Sequence, residues 1–439
     1  MLIEPAAQPG SRLGLLRQQL GRNQLVNGLV GFLFSCTGPL AVILAVGTQG
    51  NLTSEQLASW VFGAFFINGW LTLWACWRYR QPLAFYWTIP GAVLVGPALT
   101  HLSFAEVVGA YFVTGAFMLL LGVTGSVRRV MASLPMPIVM AMVAGVFLRF
   151  GTDLVKAVHG DWLLAGSMTL AFLVLSAKSA WGQRLPPMIG ALLVGVVVMV
   201  VARPYTPAFG LVSWAQPVWT APVWSLPAMF ELVVPLSITV LVVQNAQGLA
   251  VLRANGHEPP INAISNACGV WSMLGACVGA VSTCLTGPVN AILTTSGAQD
   301  RQWAGGMVVG VMAIGFGLWA PLFTQAALAT PPAFIAAMGG LAMLRVLQTA
   351  FVAAFSQRFT LGSLVTFLVT VADVPLWNIS AAFWGLVFGI ATAWWLERGD
   401  FAAAATNHTT TAAKPKRGAS WQRGEWLRDA PPLATQRSD

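Results

Sequence analysis

Apolar residues in this chain fall into long runs that are separated by short polar stretches. A helix needs about 20 apolar residues to cross a bilayer, or fewer where it is broken or partly buried. On this pattern we predict an all-α polytopic membrane protein with about fourteen transmembrane segments. The first seven spans cover approximately 24–46, 57–76, 84–99, 105–124, 134–150, 161–176 and 187–202. The second seven cover approximately 228–252, 262–280, 281–295, 303–323, 331–353, 361–373 and 378–397.

Polar stretches at both ends and in the middle divide the chain. We predict a cytoplasmic N-terminal tail over 1–23 and a disordered cytoplasmic tail over 398–439. A linker rich in Pro and Trp, residues 203–227, is predicted to be extracytoplasmic. It separates a first repeat of spans 1–7, residues 24–202, from a second repeat of spans 8–14, residues 228–397.

Composition supports a membrane location, since 56% of the residues are hydrophobic, only 8% are charged and the mean hydropathy is +0.72. So few charges exclude an ordinary soluble globular protein. The net charge of +9 is also typical of nucleic-acid binding, but Lys and Arg that mark cytoplasmic loops explain it better. We therefore expect the lipid bilayer as a partner and no nucleic acid.

The basic residues are distributed asymmetrically about the predicted spans. They lie in both tails and in loops that follow even-numbered spans: Arg78, Arg80, Arg128, Arg129, Lys178, Arg184, Arg253, Arg301, Arg345 and Arg358. Loops after odd-numbered spans hold almost none beyond Lys156 and Arg203. Because cytoplasmic loops are enriched in Lys and Arg, this distribution predicts that both termini are cytoplasmic.

An internal repeat relates the two halves. One shift along the chain aligns residues 135–142 with 331–338, Leu148-Arg149 with Leu344-Arg345, and Gly91 with Gly287. The low sequence complexity of membrane helices is the alternative explanation of the match. Seven spans are an odd number, so the two halves would cross the bilayer in opposite senses, as the inverted repeats of secondary transporters do. Arg149 would then face outside and Arg345 inside.

Two short spans carry a Gly/Pro interruption, Thr88-Ile89-Pro90-Gly91-Ala92 in the first half and Cys284-Leu285-Thr286-Gly287-Pro288 in the second. Aromatic and β-branched residues before the first interruption favour extended backbone, and Pro suits the first turn of a helix. We predict a short extended stretch followed by a half-helix in spans 3 and 10. Paired interruptions indicate a transporter's binding site; two kinked helices without a ligand are the alternative.

Helix N-termini with free N–H groups favour anions. The predicted substrate-binding residues at the two interruptions are Thr88, Gly91, Ser282, Thr283, Thr286 and Gly287. Span 8 adds Gln244, Asn245 and Gln247, since unpaired amides are costly in an apolar span and donate readily to a carboxylate. Interhelical hydrogen bonding is their alternative role. Phe32, Tyr86 and Trp87 are candidates to support an aromatic ring, with core packing as the alternative for each.

Acidic residues are missing from the centres of the spans. Glu231 is the deepest and is the candidate for proton coupling, although a carboxylate is also favourable in a first helical turn. His101, His159 and His257 lie near loops, and we predict that they form no cluster. The Cys residues lack metal-ligand spacing, and no catalytic motif is present. We therefore expect neither an enzyme nor a bound metal or cofactor.

Four groups of motifs together resemble the benzoate/proton symporter (BenE) family over about residues 24–397. They are Thr88-Ile89-Pro90-Gly91-Ala92; Leu134-Pro135 with Ala144-Gly145 and Leu148-Arg149-Phe150-Gly151; Gln244-Asn245-Ala246-Gln247-Gly248; and Ala381-Ala382-Phe383-Trp384-Gly385-Leu386. That family is similar in fold to nucleobase, sulfate and bicarbonate transporters with seven-plus-seven inverted repeats.

The resemblance implies a core domain of spans 1–4 and 8–11, a gate domain of spans 5–7 and 12–14, and substrate between spans 3 and 10. It also implies uptake of benzoate or a similar aromatic carboxylate with a proton, by a homodimer in a bacterial-type inner membrane. The nucleobase relatives bind substrate with carboxylates on spans 8 and 10, where this chain has amides and hydroxyls. That difference suits an anionic substrate and leaves the proton carrier open. An anion exchanger or a nucleobase-like carrier is the nearest alternative; an ion channel would need a continuous polar pore.

Overall fold

The computed structural model describes residues 4, 13–127, 135–177, 185–202, 214–356, 358–374, 376 and 381–401. Most of the predicted C-terminal tail, about half of the predicted N-terminal tail and the first part of the linker therefore lie outside the described residues. The same holds for Leu134 and for five of the basic residues on which the predicted topology rests, Arg128, Arg129, Lys178, Arg184 and Arg203.

Helices form most of the first half. In chain order its elements are α1 (Leu13–Gln19), α2 (Arg22–Cys36), α3 (Gly38–Gln49), α4 (Ser54–Phe62), a π-helical turn π1 (Gly63–Ile67), α5 (Asn68–Tyr79), β1 (Phe85–Trp87), α6 (Ile89–Ala98), α7 (Phe104–Val123), α8 (Met136–Gly160), π2 (Trp162–Gly166), α9 (Ser167–Ala177) and α10 (Pro187–Ala202).

The second half repeats this mixture of long helices with one short strand. Its elements are α11 (Leu226–Ala228), π3 (Met229–Val233), α12 (Val234–Ile238), π4 (Thr239–Asn245), α13 (Ala246–Ala254), α14 (Ile261–Ala276), β2 (Thr283–Leu285), α15 (Gly287–Leu293), a 3-10 turn (Gln299–Arg301), α16 (Gln302–Leu318), α17 (Ala320–Leu328), α18 (Pro332–Ala354), α19 (Thr360–Ala372) and α20 (Ala381–Leu396).

Several helical stretches are long and apolar enough to cross a bilayer. Within the described ranges there are six: Arg22–Gln49, Ser54–Tyr79, Phe104–Val123, Met136–Gly160, Leu226–Ala254 and Pro332–Ala354. A seventh is added if Gln299–Leu318 and Ala320–Leu328, which are bent by 70° at their junction, form one span. Five shorter apolar helices accompany them: Ile89–Ala98, Trp162–Ala177, Pro187–Ala202, Thr360–Ala372 and Ala381–Leu396. A mostly helical membrane protein is confirmed, while the count of fourteen spans stays a prediction.

Strands β1 and β2 occupy the segments for which extended backbone is predicted. They pair antiparallel, with Tyr86 opposite Cys284 at the centre of the register. The N–H of Thr88 donates to the carbonyl of Ser282 at 2.9 Å, and the N–H of Thr286 donates to the carbonyl of Ala84 at 3.1 Å. These bonds satisfy backbone groups that lipid cannot satisfy, and both strands are buried.

The strand pairing changes the local alignment of the two halves. An offset of 198 residues relates Thr88 to Thr286 and Ala84 to Ser282. Under this offset the bond from Thr88 to Ser282 and the bond from Thr286 to Ala84 are symmetry mates of each other. Gly91 therefore corresponds to Val289 rather than to Gly287, and the alignment of the two glycines is wrong by two residues. The pattern that the two segments share is Thr-X-Pro, in which Thr is the N-cap and Pro lies in the first helical turn.

The helices form two bundles. The first bundle contains α2, α3, α5, α6, α7, α13, α14, α15 and α16; within it α7 packs on α14, and α16 packs on α2 and α5. The second contains α8, α9, α10, α18, α19 and α20; within it α8 packs on α18 and α19, and α19 packs on α20. The bundles meet where α3 contacts α18 and where α6 contacts α8.

Small residues allow close helix approach in both bundles. A Cβ added to Gly115 of α7 would lie 2.8 Å from the carbonyl oxygen of Gly269 on α14. In the second bundle the hydroxyl of Thr366 on α19 donates to the carbonyl of Gly385 on α20 at 2.9 Å. Small and hydroxyl-bearing residues at helix contacts are typical of membrane interiors.

Candidate functional site

The strand pair brings the N-termini of α6 and α15 together inside the first bundle. The hydroxyl oxygen of Thr88, which is fully buried, accepts from the N–H of Gly91 at 3.2 Å and so caps α6. Thr286 occupies the N-cap of α15, but its side chain makes no capping hydrogen bond. Both residues were predicted from the sequence, and the structure places both at helix starts.

Gly91 allows span 8 to approach the first turn of α6. A Cβ at this position would lie 2.9 Å from Cδ2 of Leu236 and 3.2 Å from Oγ1 of Thr239. The hydroxyl groups of Thr88 and Thr239 are 3.3 Å apart. Sequence reasoning missed Thr239, because a single Thr in an apolar span carries no signal of its partner.

The three amides of span 8 have different surroundings. Asn245 uses its carbonyl oxygen to accept from the N–H of Leu285 at 2.8 Å, so it holds strand β2. Gln244 is 6% exposed, and its amide has no hydrogen bond to any residue that the structure describes. Gln247 is exposed, and its side chain lies across Gly287, where an added Cβ would be 2.6 Å from Gln247 Cδ. Of the three amides, Asn245 is therefore the one that bonds the backbone of β2.

The hydroxyl groups of Ser282, just before β2, and of Thr283, in β2, differ in their hydrogen bonding. Ser282 is fully buried, and within the described chain its Oγ has no hydrogen-bond partner. Thr283 is held on two sides, because its hydroxyl donates to Oδ1 of Asn68 at 2.8 Å and its N–H donates to Oγ of Ser272 at 2.9 Å. Thr283 therefore anchors the strand to α5 and α14, whereas Ser282 Oγ contributes no such bond within the described chain.

Aromatic rings surround the strands. Tyr86 and Trp87 both pack on Phe65, with ring centroids 5.6 and 5.0 Å apart, and Phe65 stands 4.5 Å from Phe316. Phe32 joins this cluster through Phe316 at 5.8 Å. All five side chains are buried. The three predicted aromatic residues therefore belong to one cluster, while Phe65 and Phe316 were missed because neither lies near an interruption.

Glu231 lies in π3 and is fully buried. Its Oε2 is 2.9 Å from Nε2 of His101, whose side chain is 22% exposed. Sequence reasoning did not anticipate this pair, which forms because the loop after α6 folds back onto span 8. This contact joins residues 130 positions apart, and sequence patterns do not encode contacts of that separation.

A cavity of about 740 Å³ lies between the two bundles. Its walls include Val93, Leu94 and Pro97, in the part of α6 that follows its first turn. None of the predicted site residues lines it. Among the described residues no group of three His, Cys, Asp or Glu is placed to hold a metal ion.

A family model of the benzoate membrane transport protein matches residues 18–394. The chain is 28% identical over 369 residues to the inner membrane protein YdcO of Escherichia coli strain K12, a match that covers 83% of this chain and 93% of the relative. It is 25% identical over 389 residues to a benzoate membrane transport protein of Acinetobacter baylyi, covering 86% of this chain and 96% of the relative.

Solved structures show the same fold at low sequence identity. The transmembrane domain of the cyanobacterial bicarbonate transporter BicA is 13% identical with a TM-score of 0.60, and the match covers 84% of this chain and 98% of that domain. The anion transporter Slc26a9 of mouse, in its inward-facing state, is 14% identical with a TM-score of 0.55; the match covers 93% of this chain and 74% of that chain.

Proposed function

Because the chain belongs to the benzoate membrane transport protein family, we propose that this membrane transporter imports benzoate or a similar small aromatic carboxylate together with a proton. The observation that carries the proposal is the buried Oγ of Ser282, which has no hydrogen-bond partner among the described residues and whose residue bonds the N–H of Thr88 at the start of α6; Gln244 of span 8 is 6% exposed and also makes no side-chain hydrogen bond within the described chain. Buried polar groups are normally hydrogen-bonded. Donors without partners in such a place suit a transient anionic ligand.

The carboxylate would lie between the first turns of α6 and α15. Thr88 and Gly91 supply one side, Thr286 and Gly287 the other, and Gln244 and Gln247 donate from span 8, with Ser282 beneath. Asn245 and Thr283 would shape the site from behind, because their polar groups already bind the protein. A hydrogen bond to a charged group contributes about 1.5–3 kcal/mol, so a few such bonds suffice for specific binding.

The ring would rest on Phe32, Tyr86 or Trp87, which contact one another through Phe65 and Phe316. Burying an aromatic ring contributes about 1.5–3 kcal/mol. A site that combines an anion cradle with an aromatic wall distinguishes aromatic carboxylates from bicarbonate, which has no ring to bury.

Proton coupling has a physical reason. Benzoate is an anion near neutral pH, and moving one negative charge inward against the membrane potential costs about 2.3 kcal/mol per 100 mV. A co-transported proton removes that cost. Glu231 is the candidate proton carrier, because its carboxylate is buried and contacts the partly exposed His101 at 2.9 Å.

We propose that the transport cycle is a movement of the two helix bundles relative to each other. We assign spans 1–4 and 8–11 to a core domain and spans 5–7 and 12–14 to a gate domain, in two inverted repeats of seven spans with both termini in the cytoplasm. The antiparallel pairing of β1 with β2 supports inverted halves. We further propose a homodimer in the inner membrane, the location that the name of the E. coli relative states.

Uptake of radiolabelled benzoate into proteoliposomes tests the proposal. An inward proton gradient should raise uptake, and an uncoupler should abolish the gradient-driven part. Exchange of internal for external anion at a rate independent of the proton gradient would instead support an anion exchanger. That alternative is considered because the solved structures of the same fold are a bicarbonate transporter and an anion transporter. Absence of uptake with any aromatic carboxylate would contradict both the substrate class and the mechanism.

A further inference from the structure

The cavity between the bundles contains one basic side chain. Among the described residues that line it, Arg149 of α8 is the only Lys, Arg or His. Most of the remaining lining is apolar, and its volume of about 740 Å³ lies in the range of small-molecule sites. The cavity follows α6 from Val93 to Pro97, away from the strand crossing. By the predicted topology this end of α6 faces outside.

The guanidinium group of Arg149 reaches from one bundle to the other. Gln49 ends α3, and its amide is assigned the orientation that turns the oxygen toward the guanidinium group. Both terminal nitrogens of Arg149 are then 2.7 Å from that oxygen. The end of the Gln49 side chain also lies against Gly96 of α6. Arg149 therefore holds a neutral acceptor that belongs to the opposite bundle.

The carboxylate that pairs with Arg149 is shared with a second cation. Asp153 approaches Nε of Arg149 at 3.9 Å and lies closer to Lys156, at 3.3 Å. One carboxylate thus serves two cations, although Lys156 itself does not line the cavity. The other acid in the lining is Asp373, at the end of α19, so Arg149 is the one base facing two acids in the lining that the structure describes.

We propose that Arg149 is an outer recognition site for the carboxylate of the transported substrate, an inference that rests on the transport function proposed above. A carboxylate is a stronger acceptor for a guanidinium fork than a neutral amide. An arriving anion would therefore displace Gln49 from Arg149, while its ring enters the apolar part of the cavity. The same exchange breaks the Arg149–Gln49 bridge between the bundles, so substrate arrival and release of this contact are one event.

Initial rates of radiolabelled benzoate uptake into proteoliposomes test this assignment. Arg149→Gln should raise KM about tenfold, equivalent to about 1.4 kcal/mol, and leave the maximal rate within about twofold of the parent. Arg149→Lys should give an intermediate KM, because it keeps the charge and loses the fork. Gln49→Ala should lower KM, since it removes the competing acceptor, and Asp373→Asn should lower it slightly.

Arg345→Gln is the matched control. Arg345 is the counterpart of Arg149 in the predicted repeat, is bonded to Oε1 of Gln348 at 3.1 Å, and does not line the cavity. Its substitution should leave KM unchanged. All variants should elute as monodisperse protein with the thermal stability of the parent.

Three results would overturn the assignment: a parental KM for Arg149→Gln, a reduced maximal rate at parental KM, or an equal rise in KM for Arg345→Gln. The second result would make Arg149 only a bridge between bundles. Failure of the proposed function is distinguishable, because the parent protein itself would then take up no aromatic carboxylate.

Discussion

The two helix starts at the strand crossing are related by local two-fold symmetry, yet they differ in how their polar groups are satisfied. At α6 the Thr88 side chain caps Gly91 and also contacts the hydroxyl of Thr239. At α15 the Thr286 side chain makes no cap bond, and the exposed Gln247 covers the first turn. A side chain therefore caps the start of α6, whereas no side chain caps the start of α15.

This difference indicates a division of labour. A capped start that is packed against span 8 supplies fixed geometry, and an uncapped start under a flexible side chain supplies adaptable contacts. Helix length agrees, because α6 has 10 residues and α15 has seven, so the shorter helix depends more on neighbouring side chains to bind an anion.

The largest effect is expected at Gln244, the span-8 amide that is 6% exposed and that we propose donates to the carboxylate. Gln244→Glu keeps the shape but adds a like charge, so benzoate binding should be lost near neutral pH and partly recover in acid. Gln244→Ala should weaken binding about tenfold or more, since a bond to a charged group contributes about 1.5–3 kcal/mol. Isothermal titration calorimetry on purified protein measures both. Parental affinity in both folded variants would make Gln244 a packing residue and misplace the site.

Alanine substitutions at Gly91 of α6 and Gly287 of α15 compare the capped helix start with the uncapped one. Gly91→Ala pushes a methyl group against the Thr88 side chain first and then against Leu236 and Thr239, and overpacking costs about 1–3 kcal/mol, so the melting temperature should fall. In Gly287→Ala the three atoms nearest to the added methyl group all belong to the exposed Gln247 side chain, which can move away, so stability should hold while benzoate affinity changes. Melting curves with and without benzoate separate these outcomes. Equal destabilisation by both variants would remove the contrast.

Valine at the two caps makes a finer comparison. Thr88→Val removes a capping bond, and loss of an N-cap costs about 1 kcal/mol, so the protein should melt at a lower temperature. Thr286→Val removes no intramolecular bond, so its melting temperature should stay at the parental value and benzoate affinity should decrease. The opposite assignment of stability and affinity losses would show that the roles of the two starts are reversed.

The smallest effect concerns the far end of α15. Nε2 of His257 lies 2.7 Å from Oε1 of Gln302, whose amide donates to the carbonyl of Thr294 at 2.7 Å. Burial lowers the pKa of His257, and the bond to Gln302 opposes this only partly. The unfolded chain therefore binds a proton at a higher pH than the folded one, so stability is full above the ordinary pKa of about 6.5 and declines as pH falls through that value.

Melting temperatures of the parent and of His257→Gln between pH 8 and pH 5 check this dependence. The parent should lose more stability on acidification than the variant. His159→Gln is the control, since His159 is exposed and its removal should leave the slope unchanged. Identical slopes for parent and His257→Gln would contradict the expectation.

Local sequence signals predicted the helix starts but not their partners. The two Gly/Pro interruptions, with aromatic and β-branched residues before the first one, predicted the half-helices that the structure shows as α6 and α15. The register between halves was off by two residues, because antiparallel pairing depends on backbone hydrogen bonds that no residue type specifies. Likewise, the bond from Leu285 to Asn245 spans 40 positions, so the sequence could not separate this structural amide from Gln244.

Helical periodicity also misled at span 8. A 3.6-residue period places Gln244 and Gln247 on one face, yet one is buried and the other exposed. The π-helical stretch Thr239–Asn245 shifts the phase of the side chains just before Gln247, and such stretches occur often at functional sites. Helical periodicity therefore identified the correct span but wrongly placed the Gln244 and Gln247 side chains on one face.

The ladder between β1 and β2 also constrains the order of biosynthesis. Residues near 86 precede their partners by about two hundred positions, so β1 enters the bilayer long before β2 exists. Thr72 of the neighbouring α5 bonds both the N–H and the carbonyl of Phe85 at 2.9 and 3.2 Å, whereas Thr88 must wait for Ser282. Since lipid satisfies no backbone group, the nascent first half must be protected by water, partner proteins or compact packing until the second half arrives.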